Sequence, residues 1–279
     1  MAENVTFTND RAMMLATVYG LALDARSQRP VLGDRWAGRT VASIEYDFAA
    51  LGLTPNLAVA LAYRAKLFDR WTRDFLNAHP NAVVVNLGCG LDHRFERIGL
   101  RNDVELYDVD HPDTIELRQR LHPTATANHH TVASHLADPA WVEELPQDRA
   151  ALVIGEGVST YLDPRDGRHL ISALVRRLHG GEMIFDFAGR SVVAVQKLLP
   201  VVRHTGATLR WGVNDPRELS DLGLTPVEVL TIADITTRRV LGRVSPGLRR
   251  PLQLVRRLPL LGHIGTVARF QFGPGRQPG

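Results

Sequence analysis

The chain has 279 residues, 44% of them hydrophobic, which is enough apolar material for one large domain or a core domain with a cap. Its one cysteine, Cys89, excludes an internal disulfide and a thiolate metal cluster; no apolar run reaches a membrane-spanning length and no signal-peptide pattern opens the chain, so a soluble, cytoplasmic protein without a membrane partner is expected. The net charge is +3 and the pI about 9.3, yet nine arginines follow Asp234, the last acid, and leave the remainder at −6, so the basic balance is local and no nucleic-acid partner is expected.

In chain order, Ala12 to Asp24 reads as a helix and Ala42 to Leu51 as a second. Leu57 to Leu76 is the longest, with Leu57, Leu61, Leu67, Phe68, Trp71, Phe75 and Leu76 in a stripe at spacings of three and four. Pro30 and Pro55 interrupt the run between these helices. Residues 1–80 are therefore expected to form a helical cap, and 81–279 a Rossmann-like domain.

That domain begins at Ala82-Val83-Val84-Val85-Asn86-Leu87, an apolar run that fits a strand buried on both faces. Gly88 and Gly90 then permit positive φ and a close approach of a ligand to the backbone. A second strand, Val104 to Asp110, ends in acids, of which Asp110, with Asp108 as the other candidate, can accept from the hydroxyls of a ribose. His93 stands where a dinucleotide fingerprint has its third glycine. This disfavours a pyrophosphate and favours a cofactor with adenosine but no phosphates, S-adenosylmethionine. Asp110 is also placed to cap the helix that starts at His111-Pro112.

Thr114 to Leu121 continues that helix, and His130 to Ala133 reads as a third strand. His129 and His130 are adjacent, point apart on a strand and offer no metal-ligand spacing; no metal is expected. Asp138-Pro139-Ala140-Trp141 reads as a capped helix start and Ala150 to Ile154 as the fourth strand, followed by Gly155-Glu156-Gly157. Arg165 to Leu178 is a helix ended by Gly180-Gly181, and Met183 to Phe187 the fifth strand. Val227 to Ile232 and Val267 to Phe272 fit two last strands, with an arginine-rich insertion at about 235–265 whose leucines should pack on the sheet and whose arginines should be solvated. The alternation implies a mostly parallel, doubly wound α/β sheet.

Leu87-Gly88-Cys89-Gly90-Leu91-Asp92-His93-Arg94-Phe95, Tyr107-Asp108-Val109-Asp110-His111-Pro112 and Gly155-Glu156-Gly157 with Tyr161-Leu162, in that order, resemble the leucine carboxyl methyltransferase superfamily. Within it the pattern is similar to the bacterial branch of tetracenomycin-type polyketide O-methyltransferases. Asp47-Phe48, Arg64 with Asp69, and Asp138 with Trp141 also fall where that branch has such residues. The resemblance implies a class I S-adenosylmethionine-dependent methyltransferase fold with an amino-terminal helical cap. It implies that Arg64 holds the methionine carboxylate of the cofactor, that Gly88, Cys89 and Gly90 form the glycine turn, that Asp110 meets the ribose, and that Glu156 lies beside the cofactor. Where many relatives carry Asp-Leu for adenine this chain reads Ser134-His135-Leu136, which makes Ser134 and His135 the corresponding candidates. Tyr161 is a candidate for the edge of the acceptor pocket.

The resulting expectation is an O-methyltransferase acting on a small molecule, a polyketide-type or other secondary metabolite. No residue is marked as a general base, although His111 and His204 are candidates, and an already ionised carboxylate is the favoured acceptor. Arg11 or Arg26 would then offer the acceptor a positive group. A nicotinamide-dependent oxidoreductase, and a noncatalytic cofactor-binding or basic surface-binding protein, are the alternatives.

Overall fold

Three helices bring the chain to its sheet: α1 (Ala12–Ala25), α2 (Arg35–Ala42) and α3 (Pro55–Ala78). The computed structural model describes residues 3–5, 7, 9–123, 126–231, 234 and 264–273. α3 starts where Thr54 Oγ1 accepts from the Leu57 N–H (3.2 Å), with Pro55 in the first turn, where a missing N–H costs nothing. Two packing environments divide this helix. Ala62 and Ala65 join α1 in one apolar cluster, whereas Phe68, Trp71 and Phe75 pack on the sheet with Val84, Leu106, Leu152 and Ile154.

The helix expected over Ala42 to Leu51 is not formed. α2 ends where that helix should begin, because Asp34 accepts from the Trp36 and Ala37 N–H groups and starts the helix seven residues earlier than the pattern implied. Ile44–Glu45 then extend as strand β2 beside β1 (Glu3–Asn4), which the sequence did not signal. Asp47 caps only one 3₁₀ turn, Phe48–Leu51, which Gly52 ends at φ +62°.

The main sheet contains β3 (Val83–Leu87), β4 (Glu105–Asp110), β5 (His129–Ala133), β6 (Ala151–Gly155), β7 (Gly181–Ala188), β8 (Thr225–Thr231) and β9 (Gly265–Phe272). The strand order is β5-β4-β3-β6-β7-β9-β8, with β3 to β7 parallel and β9 antiparallel to both its neighbours. Between these strands run α4 (Arg94–Ile98), α5 (Pro112–Leu121), α6 (Pro164–Arg177), α7 (Arg190–Ala194) and α8 (Pro200–Thr205). The segment after Asp138 is a 3₁₀ helix, Pro139–Glu144, rather than an α-helix.

β3 shows why its sequence is continuously apolar. Val83, Val85 and Leu87 face a core shared with Leu170 and Leu174 of α6, while Val84 faces α3 on the other side. Chain order leaves β3 toward β4 and β5 on one side, then resumes at β6 on the other. The switch point therefore lies at the carboxyl ends of β3 and β6, where ligands collect in such sheets. The insertion at about 235–265 lies almost entirely outside the described residues. Among the described residues no helix is long and apolar enough to cross a membrane.

Candidate cofactor site

The glycine turn after β3 is built as the sequence implied. Gly88 and Gly90 sit at φ +59° and +49°, conformations that L-residues adopt only with strain. A Cβ on Gly88 would come within 2.8 Å of Val158, and one on Gly90 within 3.0 Å of Met14. Asp110, at the end of β4, ties the turn down: Oδ2 accepts from the Gly90 N–H (2.8 Å) and Oδ1 from the His111 N–H (2.7 Å). It does not cap α5 from the position the sequence allowed, since His111 is the residue that precedes that helix. Burial pushes the Asp110 carboxyl up, opposed by those two N–H groups.

Asp108, the other ribose candidate, is excluded. It is fully buried, accepts from Asn86 (2.7 Å) and Arg118 (3.1 Å) and pairs with His129 (2.7 Å), so it serves the interior. Cys89 is buried too, and burial, reinforced by Asp108, pushes its thiol well above the usual range. It is a packing residue of the turn and not a nucleophile. His93 fills the third-glycine position as a buried side chain whose Nε2 lies 2.7 Å from Thr40 Oγ1.

Across the switch point lies a chain of carboxylates and guanidiniums. Arg64, on α3, donates from Nε to Glu156 (3.0 Å) and from Nη1 to Asp186 (2.8 Å). Asp186 also accepts the Gly157 N–H (2.6 Å). Glu156 is shared with Arg94 of α4, which reaches Asp69 (3.0 Å) and Asp92 (3.2 Å) as well. Arg97 closes the network onto Asp69 (2.9 Å), Asp34 (2.7 Å) and Asp92 (2.9 Å). Burial outweighs the pull of Arg94 and Arg64 and leaves the Glu156 carboxyl raised. For Asp92 the two arginines, Arg94 and Arg97, overcome burial and hold the carboxyl well below its ordinary range.

Of the sequence candidates, the structure brings Arg64, Gly88, Gly90, Asp110 and Glu156 to this edge with Cys89 behind the turn. Tyr161 is half-buried close to Arg64 and Asp186, and burial raises its phenol. Ser134 donates its N–H to the Asp110 carbonyl (2.9 Å), so the segment after β5 lies beside Asp110. His135 is exposed and meets the His111 ring edge-on at 4.1 Å. His111 itself is held by Asp113 (2.8 Å), which also takes Arg11. His204 is exposed and turned onto the Pro200 carbonyl (2.7 Å), and among the described residues no contact joins it to the site. Arg26 stands at the opposite end of α1 from Arg11, 14 helical residues away.

Sequence reasoning missed Asp186 and the roles of Arg94, Asp69 and Arg97. A signal existed for Asp186: an acid between Phe185 and Phe187 inside an apolar strand demands a partner. A separate cavity of about 240 Å³, lined by Glu96, Arg118, His122 and His129 among others, opens beside the first residue of β5. Its lining residue Arg118 donates to the Gly90 (3.2 Å) and Asp92 (2.8 Å) carbonyls of the glycine turn.

These residues fit a cofactor carrying both an amino acid and a ribose. Arg64 keeps Nη2 off both carboxylates and directs it toward Gly157, where a side chain would meet it at 3.0 Å. Each Asp110 oxygen takes one N–H and retains a lone pair for a hydroxyl.

The leucine carboxyl methyltransferase family matches residues 14–175. The tetracenomycin polyketide synthesis O-methyltransferase TcmP of Streptomyces glaucescens is 37% identical over 219 residues, 78% of this chain and 81% of that protein. The S-adenosyl-L-methionine-dependent methyltransferase dpfgK of Gibberella zeae is 29% identical over 77% of this chain and 79% of its own. In fold, the chain is similar to a Thermobifida fusca protein described as a methyltransferase, with TM-score 0.59 and 17% identity over 96% of both chains. It is also similar to the magnesium protoporphyrin IX methyltransferase of Synechocystis, with TM-score 0.50 and 14% identity over 86% of this chain and 94% of that one.

Proposed function

The chain belongs to the leucine carboxyl methyltransferase family and is an S-adenosylmethionine-dependent methyltransferase, and on that premise we propose that its acceptor is a small organic acid methylated on a carboxylate oxygen. A polyketide-type or other secondary metabolite fits this reading, since the relative from Streptomyces glaucescens is named for polyketide synthesis. The family replaces the nicotinamide-dependent and noncatalytic alternatives. Residues 1–80 act in this reading as the helical cap over the edge, and residues 81–279 as the catalytic domain.

Bound S-adenosylmethionine supplies a methyl group on a cationic sulfonium, a leaving group that needs no acid. The chain's task is then to orient two reactants and exclude water, and orientation alone can contribute ~7–11 kcal/mol. Arg64 binds the cofactor carboxylate through its unused Nη2, Glu156 lies beside the same end, Asp110 accepts from the ribose, and Gly88 and Gly90 let the ligand lie on the backbone. Ser134 and His135 line the adenine side.

One observation carries the choice of a carboxylate: every acid at this edge already has a partner. Glu156 is taken by Arg64 and Arg94, Asp186 by Arg64 and Gly157, and Asp10 by Arg210 (2.8 Å) and the Thr208 N–H (3.0 Å). A phenol, with pKa about 10, needs a free base at neutral pH, whereas a carboxylate does not. Incubation with methyl-labelled cofactor and a panel of aromatic acids and phenols tests this. The expected product is an ester that mild alkali returns to the acid. An alkali-stable ether, formed at a rate rising from pH 6 to 8, would overturn it.

A further inference from the structure

Arg94 is the first residue of α4, four positions after Gly90, so the turn that shapes the ligand edge also delivers a guanidinium beneath it. Its side chain is 1% exposed, and three of its nitrogens go to three different acids: Nε to Asp69, Nη1 to Asp92 and Nη2 to Glu156. Glu156 thus lies between two arginines of unlike character. Arg64, on its Oε1, is 20% exposed and shared with Asp186; Arg94, on its Oε2, is sealed in.

The groups facing Glu156 are Arg64 from α3, Arg94 from α4, Asp92 from the glycine turn and Asp186 from β7. Two are cations and two are anions. A ligand carboxylate that draws on Arg64 adds a third negative charge, and with Arg64 as its only cation Glu156 would be a buried carboxylate with nothing reserved for it. We propose that Arg94 is a positioning residue for the cofactor: it reserves one guanidinium for Glu156, keeping that side chain ionised and fixed while Arg64 serves the ligand. The proposal rests on the reading that Arg64 and Glu156 hold the cofactor.

Without Arg94, one cation faces two anions in a buried setting, and Glu156 takes up a proton in the neutral range. The amino-acid end of the cofactor also carries an ammonium, which the ionised Glu156 accepts and the protonated one does not, so binding strengthens as pH rises and that proton is lost. The test is calorimetric titration with S-adenosylhomocysteine between pH 6 and 8. Wild type should show flat affinity and no net proton uptake when buffers of different ionisation enthalpy are compared. Arg94→Met should bind at least tenfold more weakly at pH 6 than at pH 8. Arg94→Lys, which restores the charge, should return the profile to flat, and Arg94→Met with Glu156→Gln should remove the pH dependence. A flat profile for folded Arg94→Met, or one that still slopes in the double variant, overturns the proposal. If Arg94→Met does not fold, proton uptake by wild type on binding overturns it by itself. Glu156→Gln with unchanged affinity overturns the underlying assignment of Glu156 instead, and the proposal with it.

Discussion

The two halves of the ligand edge are built in opposite ways. On the β3–β6 side, left-handed glycines and paired buried charges fix each group, and Arg94 is 1% exposed. Beyond β7, the stretch from Arg190 to Leu199 has no buried residue, and it holds Leu198 at 76% and Val195 at 49% exposure. Two residues fasten it: Arg190 donates its N–H to Asn214 (2.9 Å) and pairs its guanidinium with Glu218, and Gln196 exchanges two hydrogen bonds with the Leu209 backbone (2.7 and 2.9 Å). Because that backbone leads into Arg210, which donates to the Tyr161 carbonyl (2.8 Å), the stretch borders the same edge. The contrast teaches that the cofactor side is organised before any ligand arrives, whereas the other side is free to be shaped by what it meets.

Four substitutions can break or sharpen that contrast. The largest effect belongs to Asp69→Ala, which takes from the buried Arg94 and Arg97 the one acid they share and should cost about 3–5 kcal/mol. Urea unfolding measures it, and a loss no greater than that of a surface control would show that the network does not organise the site. Arg64→Ala should weaken S-adenosylmethionine binding by about 1.5–3 kcal/mol with a smaller change in stability, since the lost bonds involve a charged group. Gly88→Ala should cost about 1–2 kcal/mol of stability, from its positive φ and the contact with Val158, and should weaken cofactor binding together with it. The smallest effect is that of Leu198→Ser. Its stability should stay within about 0.5 kcal/mol of wild type, as for other exposed positions, while KM for the acceptor rises and cofactor affinity holds. A shift in cofactor affinity there would erase the distinction between the halves.

The same distinction decides what could be read in advance. β3, Gly88, Gly90 and Asp110 were legible because each is a local statement: a doubly buried strand, a turn that needs positive φ, an acid at a strand end. Glu156 was legible for the same reason, standing directly after β6. The helix misplaced over Ala42 to Leu51 failed on local chemistry of another kind, because the Asp34 cap outweighed the apolar spacing. Asp69, Arg94 and Arg97 were not legible as a group, since their pairings join residues 25 and 28 apart in sequence, and spacing on a helix says nothing of a partner on another. Arg64 was found through the motif, but its neighbour Asp186 is 122 residues away. The stretch after β7 carried no periodic pattern to read, and its exposure in the fold is the reason.

In the proposed function S-adenosylmethionine is seated on the glycine turn with its ribose at Asp110. Calorimetric titration of the wild-type protein and Asp110→Ala with S-adenosylmethionine, and with NAD in parallel, tests that directly. One molecule of S-adenosylmethionine should bind per chain, NAD should give no heat, and Asp110→Ala should weaken the binding by about 1.5–3 kcal/mol while remaining folded. Binding of NAD, or unchanged S-adenosylmethionine affinity in folded Asp110→Ala, would contradict it.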